Sequence, residues 1–181
     1  MFEGPGVFVL VILAVVVFYL LRAIRMVPQG YNYTVERFGR YVRTLGPGLG
    51  LIVPFIDRIG AKMNMMERVI QVPSQEVITK DNAVIVVNAI AFIKITDPIK
   101  AVYGVTDFSE AIRNMIMTTL RSIIGEMQLD EALSNRDMIK ARLRESIADE
   151  ASDWGLTVKS VEIQDIKPSM SMQKAMEMQA S

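Results

Sequence analysis

Cysteine and histidine are both missing from the 181 residues. Their absence removes disulfides, thiolate nucleophiles, Ser-His-Asp and Cys-His arrangements, the common zinc sites and any imidazole pH switch. It leaves the redox compartment open, since a chain without cysteine suits either. No Gly-x-Gly-x-x-Gly fingerprint or P-loop occurs, so nucleotide chemistry has no support. Excess charge is lacking too: 20 basic residues balance 20 acidic ones, which argues against a generic nucleic-acid binder. The chemistry that remains is thin. Asp130-Glu131 and Asp149-Glu150 are adjacent carboxylates, and sequence neighbours on a helix do not converge as an acid/base pair must. The 13 methionines include Met63/Met65, Met115/Met117, Met170/Met172 and Met176/Met178, but i,i+2 thioethers diverge on a helix and read as core or seam filler rather than copper ligands. Ser169 near Lys167 is the one nucleophile that would need no histidine, and no nucleophile loop accompanies it. The expectation is a protein that is not an enzyme, with no catalytic residue, cofactor or metal.

What the chain has is an uninterrupted apolar run. From Gly4 to Leu21 no residue is charged, and those 18 positions would span about 27 Å as a helix, enough for one pass through a hydrocarbon core. The alternative is a cleaved signal peptide; the run lacks a basic n-region, and Leu20-Leu21-Arg22 lacks the small residues of a cleavage site. The expectation is an uncleaved anchor, with Val7, Leu10, Leu13, Val17 and Leu21 in the membrane span. Arg22 and Arg25 at its exit are expected to meet lipid headgroups and set orientation. That places the protein in the cell membrane as a single-pass chain, N-terminus outside and the remainder in the cytoplasm.

Charge is polarised beyond the anchor. Residues 22–68 carry eight basic side chains against three acidic, whereas 69–181 carry twelve basic against sixteen acidic. The basic stretch either attracts an anionic leaflet, at about 1 kcal/mol per cation near the surface, or is ordinary solvated surface.

Tyr31 to Phe38 alternates and reads as a strand, followed by a Gly46-Pro47-Gly48 turn. Leu49 to Ile56 is too short to span a bilayer. It reads either as a buried strand or as a loop dipping into the lipid interface, with Leu49, Leu51, Ile52, Val53 and Phe55 making a shallow membrane contact. Val69 to Ile78 is a strand with an edge or bulge signal at Pro73, and Asp81-Asn82 supplies a turn. In Val84 to Ile95 one face collects Ile85, Val87, Ala89, Ala91, Ile93 and Ile95. Asp97-Pro98 starts a helix, and Asp107 with Glu110 caps another whose stripe runs from Phe108 through Ile112, Ile116 and Leu120 to Met127. A further helix spans about Arg136 to Asp153 and ends at Gly155. Leu156 to Lys167 is a last strand with a bulge near Ser160, and Pro168-Ser169 opens a final helical segment. The fold class is α+β, with antiparallel strands and packed helices.

Several pieces resemble the stomatin/prohibitin (SPFH, band 7) family, in its prokaryotic stomatin-like, or paraslipin, branch. They are Val27-Pro-Gln-Gly-Tyr31, Val35-Glu-Arg-Phe-Gly-Arg40, Leu45-Gly-Pro-Gly-Leu49, Val53-Pro-Phe-Ile-Asp-Arg58 and Val72-Pro-Ser-Gln-Glu-Val-Ile-Thr-Lys-Asp-Asn82, followed by Thr118-Thr-Leu-Arg-Ser-Ile-Ile-Gly125 and Val161-Glu-Ile-Gln-Asp-Ile166. The resemblance runs from about Val27 to Met178. Asp149-Glu-Ala-Ser-Asp-Trp-Gly155 departs from the family pattern by one residue. It implies an anchor with basic flank over 1–25, an SPFH domain over 26–168, and the start of a coiled-coil-type helix over 169–181 that is cut short relative to the family. Met172 and Met176, four apart, would lie on an oligomer seam. The implied function is a non-catalytic, membrane-anchored homo-oligomeric scaffold that organises a membrane microdomain and its resident proteins. The alternative is a regulatory subunit controlling client access to a membrane protease. Implied partners are the lipid bilayer, further copies of the chain, and an NfeD-type membrane protein or membrane protease.

Overall fold

The computed structural model describes residues 4–181; Glu3, the charge expected ahead of the apolar run, and the rest of 1–3 lie outside the described residues. The described chain forms two compact units, one ending at Met66 and the other beginning at Glu67. Each is α+β, and its strand pairings are antiparallel.

The first unit opens with helix α1, Gly4–Ala23, whose residues are almost all exposed and which is long and apolar enough to cross a membrane. The chain passes straight into strand β1, Ile24–Val27, which pairs only with β4, Gly48–Leu51. Strand β2, Tyr31–Arg37, is the centre of a second sheet, flanked by β3, Arg40–Leu45, and β5, Asp57–Asn64. Val27, Val35, Leu45 and Ile52 form a small core, with Tyr31, Tyr33 and Ile59 packed on it. Burying four aliphatic side chains contributes roughly 1.5–3 kcal/mol each, so this core is modest.

The second unit is built on the sheet β6-β7-β8, from Arg68–Ile78, Val84–Ile95 and Leu156–Pro168. The alternation in β7 comes out as expected: Ile85, Val87, Ala89, Ala91, Ile93 and Ile95 are all buried. The Pro73 signal corresponds to a register shift between Val72 and Gln75 on the edge strand β6. The bulge expected near Ser160 falls at Lys159, because Phe92 faces Ser160 while Ile93 faces Val158. A second shift leaves Gln164 as the extra residue opposite Asn88 and Ala89.

Helix α2, Pro98–Tyr103, is capped by the Asp97 carboxylate, which accepts from the amides of Ile99 and Lys100. Asp107 caps α3, Phe108–Gly125, in the same way through Ser109 and Glu110. Such caps contribute about 1 kcal/mol each. Helix α5, Arg136–Asp153, buries Ile139, Leu143, Ile147 and Ala151, a strict four-residue stripe. It ends at Gly155 in the left-handed region, φ +70°, where a Cβ would come within 2.2 Å of the Asp97 carbonyl oxygen. That approach has a use: the Gly155 carbonyl accepts from the amides of Thr96 and Asp97, joining the end of α5 to the end of β7. The short helix α4, Leu129–Ser134, was not anticipated; it buries only Ala132. Helix α6, Met170–Ala180, follows the Ser169 cap and buries nothing.

Candidate membrane-contact site

The stretch Leu49 to Ile56 is not a single buried strand. Its first residues belong to β4, and the register sets Ile24 opposite Leu51 and Met26 opposite Leu49. Paired residues two apart share one face of a ribbon, so these four apolar side chains project together. Met26 is 75% exposed, Leu49 76% and Leu51 67%; Ile24 is exposed as well. The opposite face is occupied by Arg25, which is exposed, by Val27, which is buried, and by Gly48 and Gly50. A Cβ on Gly50 would lie 2.9 Å from Leu45 Cδ1, so the lack of a side chain is what seats the ribbon on Leu45 and turns both leucines outward.

Ile52 corrects the expectation for this stretch. It is only 5% exposed and belongs to the core, so it is no surface contact, and Val53 is half-buried. The chain then makes a tight turn that presents Phe55, 81% exposed with φ +68°. Asp57 closes that turn twice: its amide donates to the Val53 carbonyl at 2.8 Å, and its carboxylate accepts from the Val53 amide at 2.9 Å.

The Asp57 side chain is wholly buried and answered by cations. Arg37 Nε donates to it at 2.7 Å, and Arg43 lies 3.9 Å away while also donating to the Leu51 carbonyl. The hydrogen bond and charge of Arg37, together with the Val53 amide, hold the Asp57 carboxyl below the usual carboxylate range. One carboxylate thus ties the Phe55 turn to β2 and to β3, and Arg43 carries the tie on to the end of β4. Because Arg37 faces Asp57 across the β2–β5 pair, the β2–β3 turn emerges at this same end of the sheet. Its Phe38, φ +52°, is the most exposed aromatic residue of the unit among the described residues.

The expected span residues Val7, Leu10, Leu13, Val17 and Leu21 are all exposed on α1. Arg22 extends from the helix end back over the Phe18 ring, its guanidinium carbon 5.1 Å from the centroid. Arg25 is exposed on β1. The structure therefore brings Leu49, Leu51 and Phe55 to the surface and withdraws Ile52. It adds Ile24, Met26 and Phe38, which the sequence reading passed over. For Ile24 and Met26 the available signal was the apolar alternation Ile-Arg-Met-Val immediately after the helix.

Comparison with known proteins agrees with this architecture. Residues 25–181 match the family described as "SPFH domain / Band 7 family", and the match begins where α1 ends. The chain belongs to the SPFH/band 7 family. It is similar to a protein of Methanothermobacter thermautotrophicus, 46% identical over 172 residues, or 94% of this chain and 52% of the relative. It is also similar to a stomatin homolog of Pyrococcus horikoshii, 41% identical over 171 residues, covering 94% of this chain and 64% of that one. The chain thus spans about half the length of the first of these relatives and under two thirds of the second.

At the other end of the SPFH match, Met172 is half-buried on α6, whereas Met176 is exposed, as are Met170 and Met178. Ser169 is buried and used as a cap: its Oγ accepts from the Met172 amide at 3.2 Å and lies 3.0 Å from Ser171 Oγ. Lys167 is exposed.

Proposed function

We propose that the chain is a membrane-anchored, homo-oligomeric scaffold that organises a patch of membrane and the proteins within it, with no catalytic role. Residues 1–25 act as anchor and basic flank, 26–168 as the SPFH domain, and 169–181 as the start of a helix that meets other copies through Met172 and Met176. The observation that carries the membrane part is the outward face of Ile24, Met26, Leu49 and Leu51, contiguous with the end of an exposed apolar helix. An apolar face of that kind marks an interaction surface. Leu49, Leu51 and Phe55 form a shallow second contact that holds the first unit against the headgroup layer, on the cytoplasmic side by the placement of Arg22 and Arg25. Membership of the SPFH family and similarity to a stomatin homolog support the scaffold reading.

The test is the particle mass of the detergent-extracted protein by light scattering, with the detergent contribution subtracted, for this chain and for a longer version that continues α6. A large discrete homo-oligomer from either is the expected result. Monomers from both overturn the scaffold. Near-stoichiometric retention of a membrane protease or an NfeD-type protein by such monomers would make the chain a regulatory subunit instead.

A further inference from the structure

Beside the apolar ribbon the first unit has a cleft of about 510 Å³, lined by β1, β5 and Tyr33 of β2. Strands β1 and β5 are both at the edges of their sheets, so the cleft lies against strands with no second paired neighbour among the described residues. Three cations enter it: Arg25 from β1, and Arg58 and Lys62 from β5. Arg58 is tied to Glu36 at 3.3 Å. Arg25 and Lys62 form no ion pair with the described residues, and Lys62 Nζ stands 5.2 Å from the centroid of the Tyr33 ring. The one carboxylate in the lining, Asp57, is already taken by Arg37.

We infer that this cleft binds the phosphate headgroup of an anionic phospholipid, and that the inference rests on the membrane-anchored reading above. Three features select that ligand. An arginine fork and a lysine point charge are the usual partners of phosphate oxygens. The remaining lining is apolar: Ile24 and Met26 along one strand, and Ile52 and Ile59 deeper in. A ligand that satisfies both parts carries a phosphate joined to hydrocarbon. Position decides the source. Arg25 follows the last residue of α1 by two positions, about 7 Å of extended chain, so the cleft opens at the depth where a spanning α1 delivers headgroups. A phosphodiester held by Arg25 and Lys62 leaves its acyl chains running past Ile24 toward α1.

The test uses the purified full chain in detergent, mixed with equal amounts of phosphatidylglycerol and phosphatidylcholine of matched acyl chains, with retained lipid read by native mass spectrometry. Preferential retention of phosphatidylglycerol is expected, falling about tenfold or more in Arg25→Gln/Lys62→Gln. Arg144→Gln/Lys174→Gln, which removes two exposed cations of the second unit, is expected to leave it unchanged. Circular dichroism of both pairs checks that the fold is retained. An unchanged preference in Arg25→Gln/Lys62→Gln overturns the site, as does an equal loss in both double variants. Displacement of the lipid by millimolar-range inorganic phosphate overturns the lipid assignment in favour of a free-phosphate site. A chain that integrates into phosphatidylcholine vesicles without lipid preference defeats this inference alone. A chain that fails to integrate into any vesicle defeats the membrane-anchored reading itself.

Discussion

Strands β7 and β4 both alternate apolar residues along one face and send them to opposite destinations. In β7 every second residue from Ile85 to Ile95 is aliphatic or alanine and buried, and polar Asn88 and Lys94 lie on the other face. In β4 the apolar residues Leu49 and Leu51 also alternate, yet they point away from the core. The difference lies in what fills the inner face: Gly48 and Gly50 do, and Gly50 rests directly against Leu45. Apolar alternation locates a face, and only the neighbours decide whether that face is a core or a contact surface. The second unit spends its hydrophobic residues on its own stability. Much of the first unit's apolar surface is left for something outside it.

The sharpest way to break that contrast is to remove a large side chain from the second unit's stripe. Leu143 is fully buried, and Leu143→Ala is expected to cost about 3–4 kcal/mol. Trp154 is the only tryptophan and sits at the end of the same helix, so denaturant unfolding followed by its fluorescence reads this unit. Membrane association should be unaffected. Loss of both together would show that the second unit also holds the chain on the membrane.

A smaller effect is expected at the first unit's polar centre. Asp57→Asn removes the charge that Arg37 and Arg43 answer, at a cost of about 2 kcal/mol, and loosens the turn that presents Phe55. Because the folded Asp57 is more acidic than its unfolded counterpart, its stabilisation is complete above the ordinary carboxylate range and is lost as the pH falls below that range, through the lower pKa of the folded group. Amide hydrogen exchange over residues 52–64 should speed up in the wild-type chain as the pH is lowered below the ordinary carboxylate range, after correction for intrinsic rates. Asp57→Asn should already be fast at neutral pH and should lose this acid dependence.

How much of this was legible in the sequence depends on how local the determining signal is. The caps Asp97 and Asp107, the bounds of α5 and the Gly155 stop are set within a few residues, and each is found where expected. The Pro73 irregularity is local as well. Strands β1, β3 and β5 were passed over: β1 is four residues long and exists through its pairing with β4, 21 to 27 positions away. The bulge expected near Ser160 is found beside it, at Lys159, and the partner strand sets which residue is the extra one. At the candidate site, Leu49, Leu51 and Phe55 were legible as apolar residues in a stretch too short to span. Ile52 was not separable from them, because its burial depends on Val27, Val35 and Leu45. Arg58 and Lys62 appeared only as two cations in a basic stretch, and their convergence with Arg25 follows from the approach of β5 to β1.

The smallest effect on stability should come from the residues that look most like core. Leu49→Asn with Leu51→Asn changes two side chains that are already in solvent, so the folded state should shift by no more than about 0.5 kcal/mol. In a core strand the same pair of changes would be ruinous, since each would bury an amide without a partner. The loss should instead appear at the lipid interface. A solvent-sensitive fluorophore attached at Phe55→Cys in vesicles should emit at shorter wavelength than the same label at Ile78→Cys, an exposed position of the second unit. Adding Leu49→Asn and Leu51→Asn should move the Phe55→Cys emission toward that of the Ile78→Cys label, while leaving the Ile78→Cys label itself unmoved. If the two labels emit alike from the start, the outward ribbon faces water or another protein, and the division between a core-building unit and a membrane-contacting unit fails.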